Sequence, residues 1–396
     1  MKQLKKYEHT IYASYFGYIT QAIVNNFAPL LFLTMTRQYD LTLDKITLIT
    51  TINFAVQLFV DLISAKFIDR IGYRVSVVAA HVFAAAGLIG MAFLPELLPD
   101  AYAGILVCVV LYAIGGGIIE VLISPIVEAC PTEKKEAAMS LLHSFYCWGH
   151  VGVVLFSTLF FQMFGITNWK VLACLWAVIP LLNAVYFCMV PIYPIVSGHE
   201  KMSLKGLFGQ KVFWVLLLLM VGAGASEQGM SQWASTFAES ALGVSKTVGD
   251  LAGPCAFAIL MGTGRALYGK YSDKLPLKKV MAGCACLCIC CYLVAALSGS
   301  PVMGLMGCAV CGFSVGIFWP GTFSLAAIKL PTAGTALYAF MALAGDVGCS
   351  AGPTVVGMAA NMLDGDLKKG LLAALVFPLF ILIGIAALKD KSLRKK

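Results

Sequence analysis

Charge is what this sequence has least of. Only 12% of its 396 residues are Asp, Glu, Lys or Arg, where a soluble domain carries about 25%. Hydrophobic residues make up 60% and the mean hydropathy is +0.87. That balance excludes an ordinary soluble enzyme and belongs to an integral membrane protein. A span needs about 20 apolar residues, so twelve spans would take roughly 240 positions and leave only short loops. A separate soluble domain of any size does not fit.

Other absences narrow the class further. There is no Gly-x-x-x-x-Gly-Lys-[Ser/Thr] phosphate loop, which excludes an ATP-driven pump. The stretch GTGRALYG (262–269) is no dinucleotide loop, because it lies mid-span with no strand before it. Nothing in the chain looks catalytic. Its 14 cysteines include no Cys-x-x-Cys pair set beside a histidine pair at zinc spacing, so no metal or other cofactor is expected. The densest group, CACLCICC at 284–291, sits in one apolar run, where small side chains pack. The opening MKQLKKYEHT lacks the small-residue cleavage site of a secretory signal, so the first apolar run is expected to stay as a span.

What is present is a series of apolar runs bounded by charge, proline or glycine. They predict twelve helices: 8–36, 43–69, 74–95, 101–129, 134–165, 168–191, 209–241, 244–272, 277–297, 301–328, 331–362 and 367–388. The longest connection, 192–208, divides six helices (1–191) from six (209–396). With the N-terminus inside, 21 of the 28 lysines and arginines fall on the cytoplasmic side. The positive-inside rule therefore predicts both termini in the cytoplasm of a cell (inner or plasma) membrane. The net charge of +8 thus sets topology and does not point to nucleic acid.

The halves also repeat. AKFIDRIGYR (65–74) corresponds to GKYSDKLPLK (269–278), GHVG (149–152) to GDVG (345–348), and GGIIEVLISP (116–125) to CGFSVGIFWP (311–320). A six-plus-six duplication with the site between halves is a known transporter plan. Here the chain resembles the major facilitator superfamily. The cytoplasmic turn of that group is matched by Ala65, Asp69, Arg70, Gly72 and Arg74. The first glycine is replaced by Ala65, and Tyr73 takes a basic place. Within the superfamily, Gly117, Glu120 and Pro125, with Ser140, Leu141, His143, Phe145 and Gly149, look like the fucose–galactose–glucose:proton symporters. The resemblance implies an all-α fold of two six-helix bundles, alternating access and a monomer. It also implies a helix-1 aspartate in the proton path. This sequence reads Asn25-Asn26 there, with no acid.

Glu120 is the strongest functional candidate. A carboxylate at hydrocarbon depth costs roughly 2.5–3.5 kcal/mol, so such a residue usually faces a cavity, partner or pathway. A proton-coupling role is expected for it, and for Asp346 in the eleventh predicted helix, where a rigid packing role is an equal alternative. Glu227, Gln228, Ser231 and Trp233 form a polar and aromatic group in the seventh helix, suited to a sugar or polyol ring. The Ala223-Gly224-Ala225 stretch before them is expected to bend. Residues 227 and 228 point about 100° apart, so both need not face one cavity. His143, Tyr146 and His150 make one stripe at i, i+3 and i+7. Asn25 and Asn26 add amides, and Trp319 an aromatic wall. His81 reads as a packing residue. Asp61 and Arg265 occupy matching repeat positions, and the resemblance makes them, with Asp69, Arg70, Arg74 and Asp273, gating residues.

The expected function is secondary transport, with proton-coupled uptake of a monosaccharide or similar small polar solute first. Sodium remains open as the coupling ion. Proton-driven export of drugs or lipophilic metabolites is the alternative, and a non-transporting membrane sensor the third.

Overall fold

A computed structural model describes residues 6–132, 135–193, 204–271, 275–330 and 333–388. Every regular element there is helical. In chain order they are α1 (Tyr7–Asn26), α2 (Phe32–Tyr39), α3 (Leu43–Ile71), α4 (Tyr73–Leu97), α5 (Ala101–Glu128) and α6 (Lys135–Phe164). Next come α7 (Trp169–Met189), α8 (Leu204–Phe208), α9 (Lys211–Ser231), α10 (Ala234–Ser240), α11 (Lys246–Asp250) and α12 (Ala256–Tyr271). The last are α13 (Leu277–Leu297), α14 (Pro301–Val315), α15 (Phe318–Lys329), α16 (Gly334–Met362), α17 (Leu367–Ala373) and α18 (Val376–Ala387).

Local chemistry sets the ends. The Asp100 carboxylate accepts from the Tyr102 N–H and caps α5, as Asp366 does for α17. Gly72, at φ +91°, makes the one-residue turn between α3 and α4 that a side chain would strain. Five of the twelve expected helices are interrupted. Pro29 sits in a 3-10 turn, Ala28–Leu31, between α1 and α2. Pro254 lies in a π turn, Leu251–Cys255, between α11 and α12, where its missing N–H and ring bulk disturb α-helical bonding. The seventh expected helix does not break at Ala223–Ala225; α9 runs through to Ser231 and the break falls at residues 232–233.

Among the described residues, eleven helical stretches are long and apolar enough to cross a membrane. The expected eighth span, 244–272, is not one of them; it is divided around the Pro254 turn. Large apolar side chains face outward along these helices, such as Phe59 and Phe156, both 61% exposed. Lipid, not water, is the solvent that suits them.

The chain forms two compact units, Met1–Ser197 with Gln232–Ile259, and Gly198–Ser231 with Leu260–Lys396. In the first, α1 packs along α6, and α4 is flanked by α5 and α7. In the second, α9 runs along α16 and α13 along α14. The repeated Gly-x-Val-Gly motif makes a close crossing in each. Gly149 of α6 lies against Ile19 and Ala22 of α1, while Gly345 and Gly348 of α16 meet the backbone of α9 or the Trp319 ring. This explains why Ala223-Gly224-Ala225 stays helical. A Cβ on Gly224 would press on the Gly345 carbonyl and lie 3.0 Å from both N and Sγ of Cys349. Small residues here let two backbones touch. Gly224→Val is therefore expected to destabilise the second unit by about 1–3 kcal/mol through overpacking, read as an earlier thermal transition in detergent. An unchanged transition would mean that α9 and α16 separate without cost.

Candidate functional site

Each unit holds a polar group inside its apolar helices. The first is built on α1, α3 and α5. Gln21 and Asn25 stand one turn apart on α1, Asn53 and Gln57 one turn apart on α3, and all four are buried. The Gln57 amide nitrogen donates to Asn25 Oδ1 at 2.8 Å and to Asn53 Oδ1 at 3.1 Å. Asn53 Nδ2 donates to Asn25 Oδ1 at 3.2 Å. Gln21 Nε2 donates to Gln57 Oε1 and to Glu120 Oε2, both at 2.9 Å. Glu120, on α5, is thus bonded to a chain of four amides carried by α1 and α3. Gly116 permits it, since a Cβ there would lie 2.9 Å from Gln21 Oε1.

At the other end of the chain a small cavity is lined by Asn25, Pro29, Phe32, Thr50, Asn53, Tyr112 and Gln232, among others. Gln232 Nε2 donates to the Asn25 carbonyl at 3.0 Å. Trp233, wholly buried, sets its ring 5.6 Å from that of Phe32. Asn26 turns away from this group and bonds its own helix at the Ala22 carbonyl. One turn from Glu120, Ser124 meets the Tyr18 hydroxyl at 3.1 Å, and the Tyr18 ring is 5.3 Å from His143. His143 is exposed, Tyr146 half-buried and His150 buried, so the expected stripe meets three environments. His81 is buried with its ring bonded to the Val77 carbonyl and to Asn183.

The second group gathers at the end of α9. Arg265 Nη2 lies 3.5 Å from Glu227 Oε2, and Arg265 Nε donates to the Gly316 carbonyl at 3.2 Å. Gln228 Nε2 donates to Glu227 Oε1 at 3.3 Å, and the Tyr292 hydroxyl to the Ser226 carbonyl at 2.9 Å. Ser231 is buried in the same turn region. Asp346 is buried on α16 next to Gly345, which packs on Trp319. The sequence cluster of the seventh helix is thus divided: Glu227, Gln228 and Ser231 belong to the second unit, Trp233 to the first.

The gating candidates scatter. Arg74 Nη1 donates to the Phe187 carbonyl at 2.6 Å and ties α4 to α7. Arg70 is exposed, Asp61 half-buried. Arg265 pairs with Glu227. Asp273 lies outside the described residues, as does the Asp69 side chain. The sequence reading missed Gln21, Asn53 and Gln57, although amides at i and i+4 in an apolar run were a visible signal. It also missed Asp250, fully buried and bonded by Ser235, Thr158 and Lys246. Among the described residues no group of three or more His, Cys, Asp or Glu could hold a metal.

An all-helical membrane chain that holds an acid among amides between its helices has the build of a secondary transporter. The Major Facilitator Superfamily profile matches residues 14–353, so the chain belongs to that superfamily. Among solved structures it is similar to a bacterial homologue of the human lysosomal transporter Spinster, inward-facing and unoccupied. That match has a TM-score of 0.75 and 15% identity over 96% of this chain and 95% of the other. It is equally similar to a D-xylose–proton symporter, with a TM-score of 0.75 and 15% identity over 94% and 95%. These likenesses concern the fold. No curated protein matches the chain.

Proposed function

We propose that the chain is a proton-coupled symporter that imports a monosaccharide or a similar small neutral polyol. It would work as a monomer in the cell membrane, with both termini in the cytoplasm. Bundles 1–191 and 209–396, joined by 192–208, work by alternating access. The observation that carries this reading is the Gln21 bond to Glu120 at the end of an amide chain. Amides offer both donors and acceptors, which suits hydroxyl groups, and the one carboxyl bonded to them can carry a proton. The neutral partners favour an uncharged solute. A fold that serves a D-xylose–proton symporter accommodates the same chemistry. Asn25, Gln228, Ser231, Trp233 and Trp319 are the proposed solute contacts, with His143, Tyr146, Asn26 and Glu227 beside them. Glu120 and Asp346 are the proposed coupling acids, and Asp61, Asp69, Arg70, Arg74, Arg265 and Asp273 serve the gate.

The test is solute-induced proton movement in proteoliposomes with an internal pH dye. Hexoses, deoxyhexoses, pentoses and polyols are screened, with Glu120→Gln in parallel. Internal acidification by one sugar, reduced at least tenfold by the substitution, is the expected result. Flux that persists without proton movement would replace the proton by sodium or by no ion. Silence across the panel, with tracer flux also absent, would overturn the sugar reading in favour of amphiphile export.

A further inference from the structure

The amide chain has a direction, and that direction is set by Glu120. A primary amide has two N–H donors. Gln57 gives both of its own to Asn25 and Asn53, so its oxygen must face Gln21. Gln21 gives one N–H to that oxygen and one to Glu120 Oε2. Its own Oε1 is buried and has no hydrogen-bond partner among the described residues. A buried amide oxygen left in this way is costly. It is tolerated here because a carboxylate oxygen can only accept, which fixes the Gln21 nitrogen toward Glu120.

We infer that Gln21 is a positioning residue that reads the protonation state of Glu120 and passes it through Gln57 to the Asn25–Asn53 cavity. This rests on the proton-carrying role proposed for Glu120. When Glu120 takes up a proton, its carboxyl gains an O–H donor that needs an acceptor. Half a turn of the terminal Gln21 torsion, a soft two-fold rotation, exchanges Nε2 for Oε1. The oxygen then accepts from Glu120. Gln57 now faces an oxygen instead of a nitrogen, so its amide turns as well and presents Oε1 to Asn25 and Asn53. Those two must become donors to it, and they line the cavity with Thr50, Tyr112 and Gln232. One proton enters at Glu120; everything beyond it only rotates. The result inverts which groups donate and which accept where a solute hydroxyl would bind. Thr50 Oγ1, buried there without a hydrogen-bond partner among the described residues, is a group such a hydroxyl can meet.

The near identity in size of an amide oxygen and nitrogen lets this happen without repacking. Gly116 supplies the remaining room: a Cβ there would come within 2.9 Å of Gln21 Oε1 and 3.4 Å of Gln57 Cδ. Other titratable groups stand on the helices packed here: Tyr18 on α1, Asp61 on α3, His81 on α4, Tyr112 on α5 and His143 on α6. The Glu120→Gln control separates their proton uptake from that of Glu120.

Infrared difference spectra between acid and neutral pH test this without a known solute, using the full chain in liposomes with isotope-labelled glutamine side chains. The wild type is expected to show a carboxyl band together with a shifted glutamine carbonyl band. Glu120→Gln should lose the carboxyl band and the glutamine shift together. Gln21→Met should keep the carboxyl band and lose the glutamine shift. A carboxyl band that Glu120→Gln removes, with no glutamine shift in the wild type, would overturn the relay and leave the proton role of Glu120 intact. So would a glutamine shift that survives Gln21→Met. No carboxyl band assignable to Glu120 would overturn the proton role itself. If Gln21→Met fails to fold, the wild type and Glu120→Gln still decide, since the relay requires both signals in the first and neither in the second.

Discussion

Arg265→Leu is expected to cost the second unit about 3–5 kcal/mol of stability, because it leaves the buried Glu227 carboxylate without its cation. Glu227 is 5% exposed, and its other described bond is a long one from Gln228 at 3.3 Å. The guanidinium also reaches the Gly316 carbonyl at the break between α14 and α15, so its loss releases a second buried acceptor. The pair by itself contributes far less than its rupture costs, since two charges had to be taken out of water to form it. Arg265→Leu with Glu227→Gln should therefore recover most of the loss, to within about 1–2 kcal/mol of wild type. Thermal unfolding in detergent, followed by labelling of buried thiols such as Cys288 and Cys311, reads both variants. A double variant as unstable as the single one would show that Arg265 acts through packing and Gly316, not through Glu227.

That pair shows how far the sequence could be read. Charge scarcity and apolar runs made the all-helical membrane fold legible, because each span must satisfy its own backbone bonds and so announces itself locally. Glu120 was legible for the same reason: an acid in an apolar run is conspicuous by itself. Arg265 and Glu227 were each visible, yet were assigned to different roles, since nothing local says that residues 38 positions apart meet. The amides are harder still. Gln21, Asn53 and Gln57 carry no charge, and their meaning appears only when α1, α3 and α5 come together around Glu120. The seventh helix was misjudged at Ala223–Ala225 because small residues serve both bends and close crossings. Only the presence of α16 beside them decides between the two. Pro254 was in plain view, but a proline within a span does not say whether the chain kinks, widens into a π turn or merely curves.

Lys246→Met is the second substitution expected to be severe, again about 3–5 kcal/mol, and its logic differs. Lys246 belongs to the five-residue α11 and looks like an ordinary loop base. Its ammonium nevertheless serves three acceptors: the Leu30 carbonyl at 2.6 Å, Asp250 at 3.1 Å and Glu239 at 3.4 Å. Asp250 has no exposed surface, whereas the Glu239 side chain keeps 13%. Removing the ammonium strands both acids, but unequally. Water can reach Glu239, while among the described residues Asp250 keeps the hydroxyls of Ser235 and Thr158. Asp250→Asn in the Lys246→Met background should therefore restore most of the lost stability, because it removes the buried charge while its oxygen accepts from one of those hydroxyls and its NH2 donates to the other. Glu239→Gln in the same background should restore little. If the two rescues were equal, the cost of Lys246→Met would lie in the Leu30 carbonyl or in the net loss of a positive charge, and burial of Asp250 would not be what makes this lysine indispensable.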